Sequence, residues 1–385
     1  MGTILVSLIS EQTIPNVLFI KEIQNSMSVD YYFFITTEEM EREESGNRRK
    51  WILRSCNISD DKQDYITVLS EDKNNIQNKL SEKINLFESY DKIMVNITGG
   101  TKIMSIAAYE FFLNNFKSKS ELWYKPINFK ERFCNIISNG VSEDKDLIIN
   151  YKLSVSEYLT SCGIFNDRYK TKTNFIDKKF TEEFFEKFIN DNRIRQIAEK
   201  VRELFRSDTA PFLKEIKKKD KINLDEIEDL KDLKRDLIDI QVPLIDQKIL
   251  TKQTIEYITG GWFEEYVYWK IKEKYSLEDD QIKLGVVLTP NVRNGDRINY
   301  FTNNDLDVVF VYENELYVIE CKTALKEFFM ETVYKMAAIR KYFGLTVKSI
   351  LVTLSTLDNN QKERASVFNI KTLEKEDIVN NMNKM

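Results

Sequence analysis

The stretch Asn304-Asp305-Leu306-Asp307-Val308-Val309-Phe310-Val311, followed by Leu316-Tyr317-Val318-Ile319-Glu320-Cys321-Lys322, decides the fold. Two apolar runs of strand character flank the short turn Tyr312-Glu313-Asn314-Glu315, and this pattern predicts a hairpin. Strand residues two apart face the same side of a sheet, so Glu320 and Lys322 project together while Cys321 points away. With the runs paired, Asp307 at the far end of its strand comes close to Glu320. Two carboxylates and a lysine at the ends of apolar strands are costly to bury without a partner. A divalent cation suits their oxygens, which points to metal-dependent cleavage of a phosphodiester. The flanking runs are apolar on both faces and so read as central strands rather than as a surface hairpin.

Asp307 with Glu320-Cys321-Lys322 resembles the PD-(D/E)xK motif of the restriction-endonuclease-like superfamily. That superfamily usually adds a carboxylate from the preceding helix. The segment Thr254 to Tyr268 supplies two candidates, Glu264 and Glu265. Phe263, Val267 and Ile271 follow an i, i+4, i+8 stripe, the signature of a helix packing one face. Glu264 lies beside the stripe and Glu265 further round, so periodicity leaves both open. The related nucleases resemble Gly-Gly-Trp-Leu-Glu here, which maps onto Gly260, Gly261, Trp262, Phe263 and Glu264 and selects Glu264.

Composition removes several classes of chemistry. The 385 residues suffice for two domains or three. No apolar run approaches the length of a membrane span, and no basic region or small-residue cleavage site marks a signal peptide. Cys56, Cys134, Cys162 and Cys321 lack metal or disulfide spacing and suit a reducing cytoplasm. The chain has no histidine, which excludes Ser-His-Asp hydrolysis, Cys-His proteolysis, HNH nucleases and HEPN-type ribonucleases. A carboxylate–lysine metal site needs no imidazole. With 57 basic and 62 acidic residues the net charge is −5, which weighs against constitutive DNA binding. Local positive charge near the site comes from Arg293, Arg297, Lys322, Lys326, Lys335, Arg340 and Lys341.

The chain opens on a buried-type strand, Thr3 to Ile9, leading into Ser10-Glu11-Gln12-Thr13-Ile14-Pro15-Asn16. A helix at Val17 to Gln24 and a strand at Tyr31 to Thr36 are predicted next. A second buried-type strand, Lys92 to Ile97, runs through Thr98-Gly99-Gly100-Thr101-Lys102 into a helix at Ile103 to Asn114. Alternating strands and helices predict a parallel, doubly wound sheet. Ligands bind such sheets where loops leave the carboxyl ends of strands. The paired glycines allow close backbone approach, and the helix N-terminus they feed favours anions. The loop is not a Walker A loop, since no upstream glycine has the spacing and Lys102 is followed by Ile103.

Asn96-Ile97-Thr98-Gly99-Gly100-Thr101-Lys102 resembles the second ligand loop of the CARF domain, the cyclic-oligoadenylate sensor of CRISPR-associated effectors, and Ser10, Glu11, Gln12 and Thr13 occupy the place of its first loop. The resemblance implies a homodimer that holds a two-fold-symmetric ring across its interface. Residues 178–240 read as a solvated helical connector, with Ile194, Ile197, Ala198, Val201, Leu204 and Phe205 forming one helical stripe. Pro243 marks entry to the nuclease region. After Lys322 comes a helix bearing Phe328, Phe329, Val333, Met336, Ala337 and Tyr342, closed near Gly344, and then a strand, Lys348 to Leu354.

The expected fold class is α/β. A Rossmann-like CARF sensor spans 1–150, a helical connector 151–240, and a restriction-endonuclease-like domain 241–385. The resemblance implies a cytoplasmic ancillary nuclease of type III CRISPR antiviral defence, activated by cyclic tetra-adenylate and acting on single-stranded DNA, RNA or supercoiled DNA. Asp307 and Glu320 would hold Mg²⁺ or Mn²⁺ with Glu264, Lys322 would assist catalysis, and Ser10 to Thr13 with Thr98 to Lys102 would bind the ring. A ring-binding regulator that does not cut, or a constitutive restriction or repair endonuclease, would share one half of these features each.

Overall fold

The computed structural model describes residues 2–42, 46–140, 146–172, 177–206, 221–226, 230–242, 244–288, 292–293, 296–297, 304–325, 328–343 and 346–380. Pro243, Lys326, Gly344 and the connector residues 207–220 lie outside them. Strands Thr3–Leu8 (β1), Tyr31–Thr36 (β2), Gln63–Thr67 (β3), Lys92–Asn96 (β4), Ser120–Tyr124 (β5), Arg132–Ser138 (β6) and Asp146–Ile148 (β7) form one sheet, ordered β3-β2-β1-β4-β5-β6-β7. The first five are parallel, and β6 and β7 join antiparallel. Side chains of β1 alternate between two cores. Ile4, Val6 and Leu8 enter one with Phe33 and Val95, while Leu5 enters the other with Phe19 and Phe34.

Helix Ile14–Ser26 (α1) follows β1, and Lys102–Phe116 (α2) follows β4. Both run longer than the sequence pattern predicts. Pro15 in the first turn starts α1 early, because its fixed φ suits the first helical positions. Thr101 caps α2 by accepting a hydrogen bond from the Met104 amide at 3.2 Å.

The chain then forms a short helix, Val155–Ser161 (α3), and strand Tyr169–Lys170 (β8). Two helices follow, Lys178–Asn190 (α4) and Asn192–Arg206 (α5). Small ribbons pair Lys221–Asn223 (β9) with Ile249–Thr251 (β10), and Val292–Arg293 (β12) with Asp296–Arg297 (β13). Helix Trp262–Lys274 (α6) precedes Ile282–Leu288 (β11), Asn304–Tyr312 (β14) and Glu315–Lys322 (β15). Helix Phe329–Phe343 (α7), Lys348–Thr353 (β16) and Ile370–Leu373 (β17) complete a six-stranded sheet, ordered β17-β16-β15-β14-β11-β8. The expected hairpin is present: β14 and β15 are antiparallel, and Glu313 and Asn314 turn the corner with φ of 51° and 59°. That is the left-handed pair a tight two-residue hairpin turn requires.

The solvated connector is not what folds. Phe184, Phe185, Ile194, Ile197 and Val201 share a core with Trp262, Phe263, Val267 and Phe310, and Phe185 stacks on Tyr266 at 3.8 Å. A stripe of this width cannot remain in water, and α6 supplies the apolar face it needs. The two halves also join directly. Leu153, Val155, Tyr158 and Leu159 share a core with Val309, Val311, Leu316 and Val318. The Asn314 side chain donates to the Tyr151 carbonyl at 2.9 Å and accepts from the Leu153 amide at 2.8 Å. Among the described residues, no helix is long and apolar enough to cross a membrane.

Candidate nuclease centre and ligand loops

The pairing Val308↔Ile319 brings Asp307 beside Glu320 at the end of the hairpin remote from its turn. Asp307 accepts a hydrogen bond from the Cys321 amide at 2.6 Å. Lys322 reaches Glu320 at 2.6 Å and Asp307 at 3.7 Å. Helix α7 lies on the crossover from β15 to β16, and its Lys335 contacts both oxygens of Glu320, at 3.0 and 3.1 Å. Glu320 is 2% exposed and Asp307 8%, so these charges interact in a medium far less screening than water. Burial, then the carboxylates of Glu320 and Glu264, push the Asp307 carboxyl well above the usual range. Burial pulls Lys322 down, but Asp307 and Glu320 outweigh it and hold the ammonium above its ordinary value. Burial also pushes the Cys321 thiol far up, which makes it an inert packing residue rather than a nucleophile.

Phe263, Val267 and Ile271 are all buried, as the stripe requires, and this fixes the rotation of α6. Glu265 is fully buried and pairs with Lys172 at 2.7 Å. Glu264 lies within electrostatic reach of Glu320 and Lys322. Burial raises its carboxyl, Lys172 and Lys322 act in the opposite sense, and Glu320 and Glu265 raise it further. Three acidic groups from two directions thus share one field. Among the described residues no three acidic or cysteine side chains converge on a single point; Lys322 and Lys335 supply the countercharge.

In the first sheet, β1 and β4 are neighbours, so the loops that leave them lie side by side. A Cβ on Gly99 would sit 2.2 Å from the Leu8 carbonyl oxygen, which only glycine tolerates. Buried Asn16 and Asn96 knit the two loops. Asn16 donates to the Leu8 carbonyl at 2.9 Å, Asn96 donates to Asn16 at 3.1 Å, and Thr98 donates to Asn96 from its hydroxyl at 2.6 Å. Thr13 is buried and donates to the Ser161 carbonyl of α3, while Thr101 donates to the Ser70 carbonyl at 2.6 Å. Glu11, Gln12 and Lys102 are exposed; Ser10, Thr98 and Gly100 are half-buried.

Sequence reasoning missed several participants. Lys335 reads as loose positive charge, yet it pairs with Glu320. Asn16 and Asn96 are quoted in the loops without the buried pairing that joins them. Lys172 and Arg202 carry no local signal, because their partners lie 93 and 57 residues away or more (Glu265 and Thr259). Arg340 donates to the Phe368 carbonyl at 3.4 Å, a structural contact.

This arrangement, a doubly wound sheet with twin loops joined to a carboxylate–lysine hairpin, defines a ligand-sensing domain coupled to an endonuclease-like domain. Residues 4–158 match the family model of the Card1 CARF domain, and residues 251–384 match the Card1-like endonuclease domain. The chain belongs to the CRISPR-associated ancillary nucleases that combine these two domains. Similar solved structures include Can2 from Sulfobacillus thermosulfidooxidans in complex with cyclic tetra-adenylate, at 20% identity and TM-score 0.70, covering 100% of this chain and 99% of that one. Protein VC1899 from Vibrio cholerae is 17% identical with TM-score 0.73, over 99% and 96% of the two chains. A type III CRISPR defence DNA nuclease activated by cyclic oligoadenylate is 14% identical with TM-score 0.57; all of this chain aligns to 52% of that one. Among curated proteins, no sequence matches the chain.

Proposed function

We propose that this protein is a metal-dependent endonuclease of type III CRISPR antiviral defence, switched on by cyclic oligoadenylate, most simply the tetra-adenylate ring. One observation carries the reading: Asp307, Glu320 and Lys322 cluster at adjacent strand ends, faced by Glu264, in a chain whose other half is a CARF domain. Burial, then the carboxylates of Glu320 and Glu264, push the Asp307 carboxyl up, and a divalent cation would relieve that repulsion. Asp307 and Glu320 would hold it, with Glu264 ligating directly or through a water. When bound, Mg²⁺ or Mn²⁺ supplies Lewis acidity towards a phosphodiester. Lys322, beside both carboxylates, is suited to hydrogen-bond the phosphate and offset charge growing on its oxygens.

On the sensor side, exposed Gln12 and Lys102, with the Thr98-to-Lys102 backbone at the start of α2, offer donors to a cyclic phosphodiester. A two-fold ring implies a homodimer with one pair of loops from each copy. Four free cysteines fit a reducing compartment. The substrate is DNA, RNA or both.

The test is cleavage of labelled single-stranded DNA, single-stranded RNA and supercoiled plasmid with Mn²⁺, with and without cyclic tetra-adenylate, and with EDTA added. Cutting is expected only with both ring and metal. Cutting without the ring removes the sensing role. Tight ring binding with no cutting of any substrate replaces the nuclease by a non-cleaving regulator.

A further inference from the structure

The family matches end at 158 and resume at 251, yet the segment between them reaches the nuclease centre twice. From α5, the Nη2 of Arg202 donates to the Thr259 carbonyl at 2.9 Å and to the Thr323 hydroxyl at 3.3 Å. Thr259 lies in the turn that leads into α6 and Glu264, and Thr323 is the residue after Lys322. One planar guanidinium therefore ties together the two segments that present the acidic groups and the lysine. The turn it grips is irregular: Tyr257–Gly261 wind as a π-helical turn, and Gly260 leaves the helical region at φ 168°, ψ −31°. Such turns interrupt the regular hydrogen-bond ladder, so an outside donor steadies the entry to α6. Glu199 holds Arg202 in place at 2.6 Å, and the arginine side chain is only 21% exposed.

Lys172, just after β8, also reaches α6. Its amide donates to the Leu284 carbonyl at 2.9 Å, and its ammonium pairs with buried Glu265, the neighbour of Glu264. Gly285 leaves room for it. A Cβ at Gly285 would lie 3.2 Å from the Lys172 Cβ.

We propose that Arg202 and Lys172 are positioning residues of the nuclease site, with Arg202 the clamp that holds α6 against the end of β15 so that Glu264 faces Asp307 and Glu320. The inference rests on reading that cluster as a nuclease centre. It assigns the inter-domain segment a place in the active-site scaffold, where a tether would serve only to span a distance.

The test compares the full chain with Arg202→Ala, Arg202→Lys, Thr323→Val, Lys172→Met and the Arg202→Ala/Thr323→Val double variant. Ring-activated cleavage with Mn²⁺ and amide hydrogen exchange are both measured. Arg202→Ala is expected to lower kcat about 10- to 100-fold with KM nearly unchanged. Arg202→Lys rescues little, since an ammonium lacks the fixed fork. Because one clamp is being removed, the double variant falls no further than Arg202→Ala. Lys172→Met lowers kcat in the same direction. Exchange quickens in peptides spanning 255–266 and 319–325 and not in the sensor sheet. Wild-type kcat in Arg202→Ala, or fully additive losses with unchanged exchange, overturns the clamp. If Arg202→Ala fails to fold, Thr323→Val, near-isosteric, carries the comparison. Should the wild type cut nothing, the nuclease reading falls, and exchange decides the clamp alone: unchanged protection at both segments overturns it.

Discussion

Asp307 and Glu320 stand on neighbouring strands, yet their charges affect the folded state in opposite ways. Glu320 is met by two ammonium groups, Lys322 at 2.6 Å and Lys335 at 3.0 Å. Asp307 is raised first by burial and then by its acidic neighbours Glu320 and Glu264. Replacing Glu320 by Gln leaves two cations short of a partner. Both lysines are about a third exposed (34% and 32%), so water screens part of the loss and about 1–2 kcal/mol is expected. Asp307→Asn keeps an oxygen for the Cys321 amide and removes repulsion, so its melting temperature should equal or exceed that of the wild type. Both variants should lose cleavage. Thermal melts in EDTA make the comparison; equal destabilisation by the two would show that the acidic repulsion at Asp307 is unimportant. Trading stability for chemistry in this way is common where like charges are gathered to act.

At the scale of elements, legibility follows the range of the interaction that builds each one. The β14–β15 hairpin could be read because strand alternation and a two-residue turn are local, and the face of α6 because i, i+4 spacing is local too. The same periodicity marks Ile194, Ile197 and Val201 on α5, but the dense charge around them suggests solvent, and only the fold shows that α6 covers them. Arg202 meeting Thr259 and Thr323, and Lys172 meeting Glu265, are long-range pairings that no spacing encodes. The Thr98-to-Lys102 loop sits between these cases. Its glycines suggest close approach, but the neighbour they approach, the Leu8 carbonyl, belongs to the other loop. Gly99→Ala therefore tests the pairing of the loops as an element. A backbone oxygen 2.2 Å from the new Cβ cannot swing aside, so the strands must shift at a cost of about 1–3 kcal/mol. Ring titration and melting should show weaker binding and a lower Tm, with metal binding at the distant centre intact. Unaltered ring affinity would mean the loops do not act together.

Across the whole molecule, the tip of the nuclease hairpin is docked on the sensor, and this contact bears on how a ring bound at one end could alter cleavage at the other. Thr13, in the first loop, donates to Ser161 at the end of α3. Just before α3, the Leu153 amide donates to Asn314 at 2.8 Å, and Asn314 returns a hydrogen bond to Tyr151 at 2.9 Å. Asn314 turns the hairpin whose far ends carry Asp307 and Glu320. Packed elements transmit displacement because they are close to incompressible, so a shift of α3 moves the hairpin as a unit only while its tip is held. Asn314→Gly accepts the left-handed φ of 59° without strain and deletes only the amide. Ring affinity and cleavage chemistry should survive, whereas the ratio of cleavage with ring to cleavage without it should fall by about 10-fold, within the range of ordinary coupling energies. The ratio is the decisive quantity, since releasing the tip can raise the unstimulated rate or lower the stimulated one, and either change moves the ratio towards one. Measuring the stimulated rate at saturating ring separates this from a loss of binding. An unchanged ratio would rule out the docked tip as a route and leave dimer geometry to carry activation.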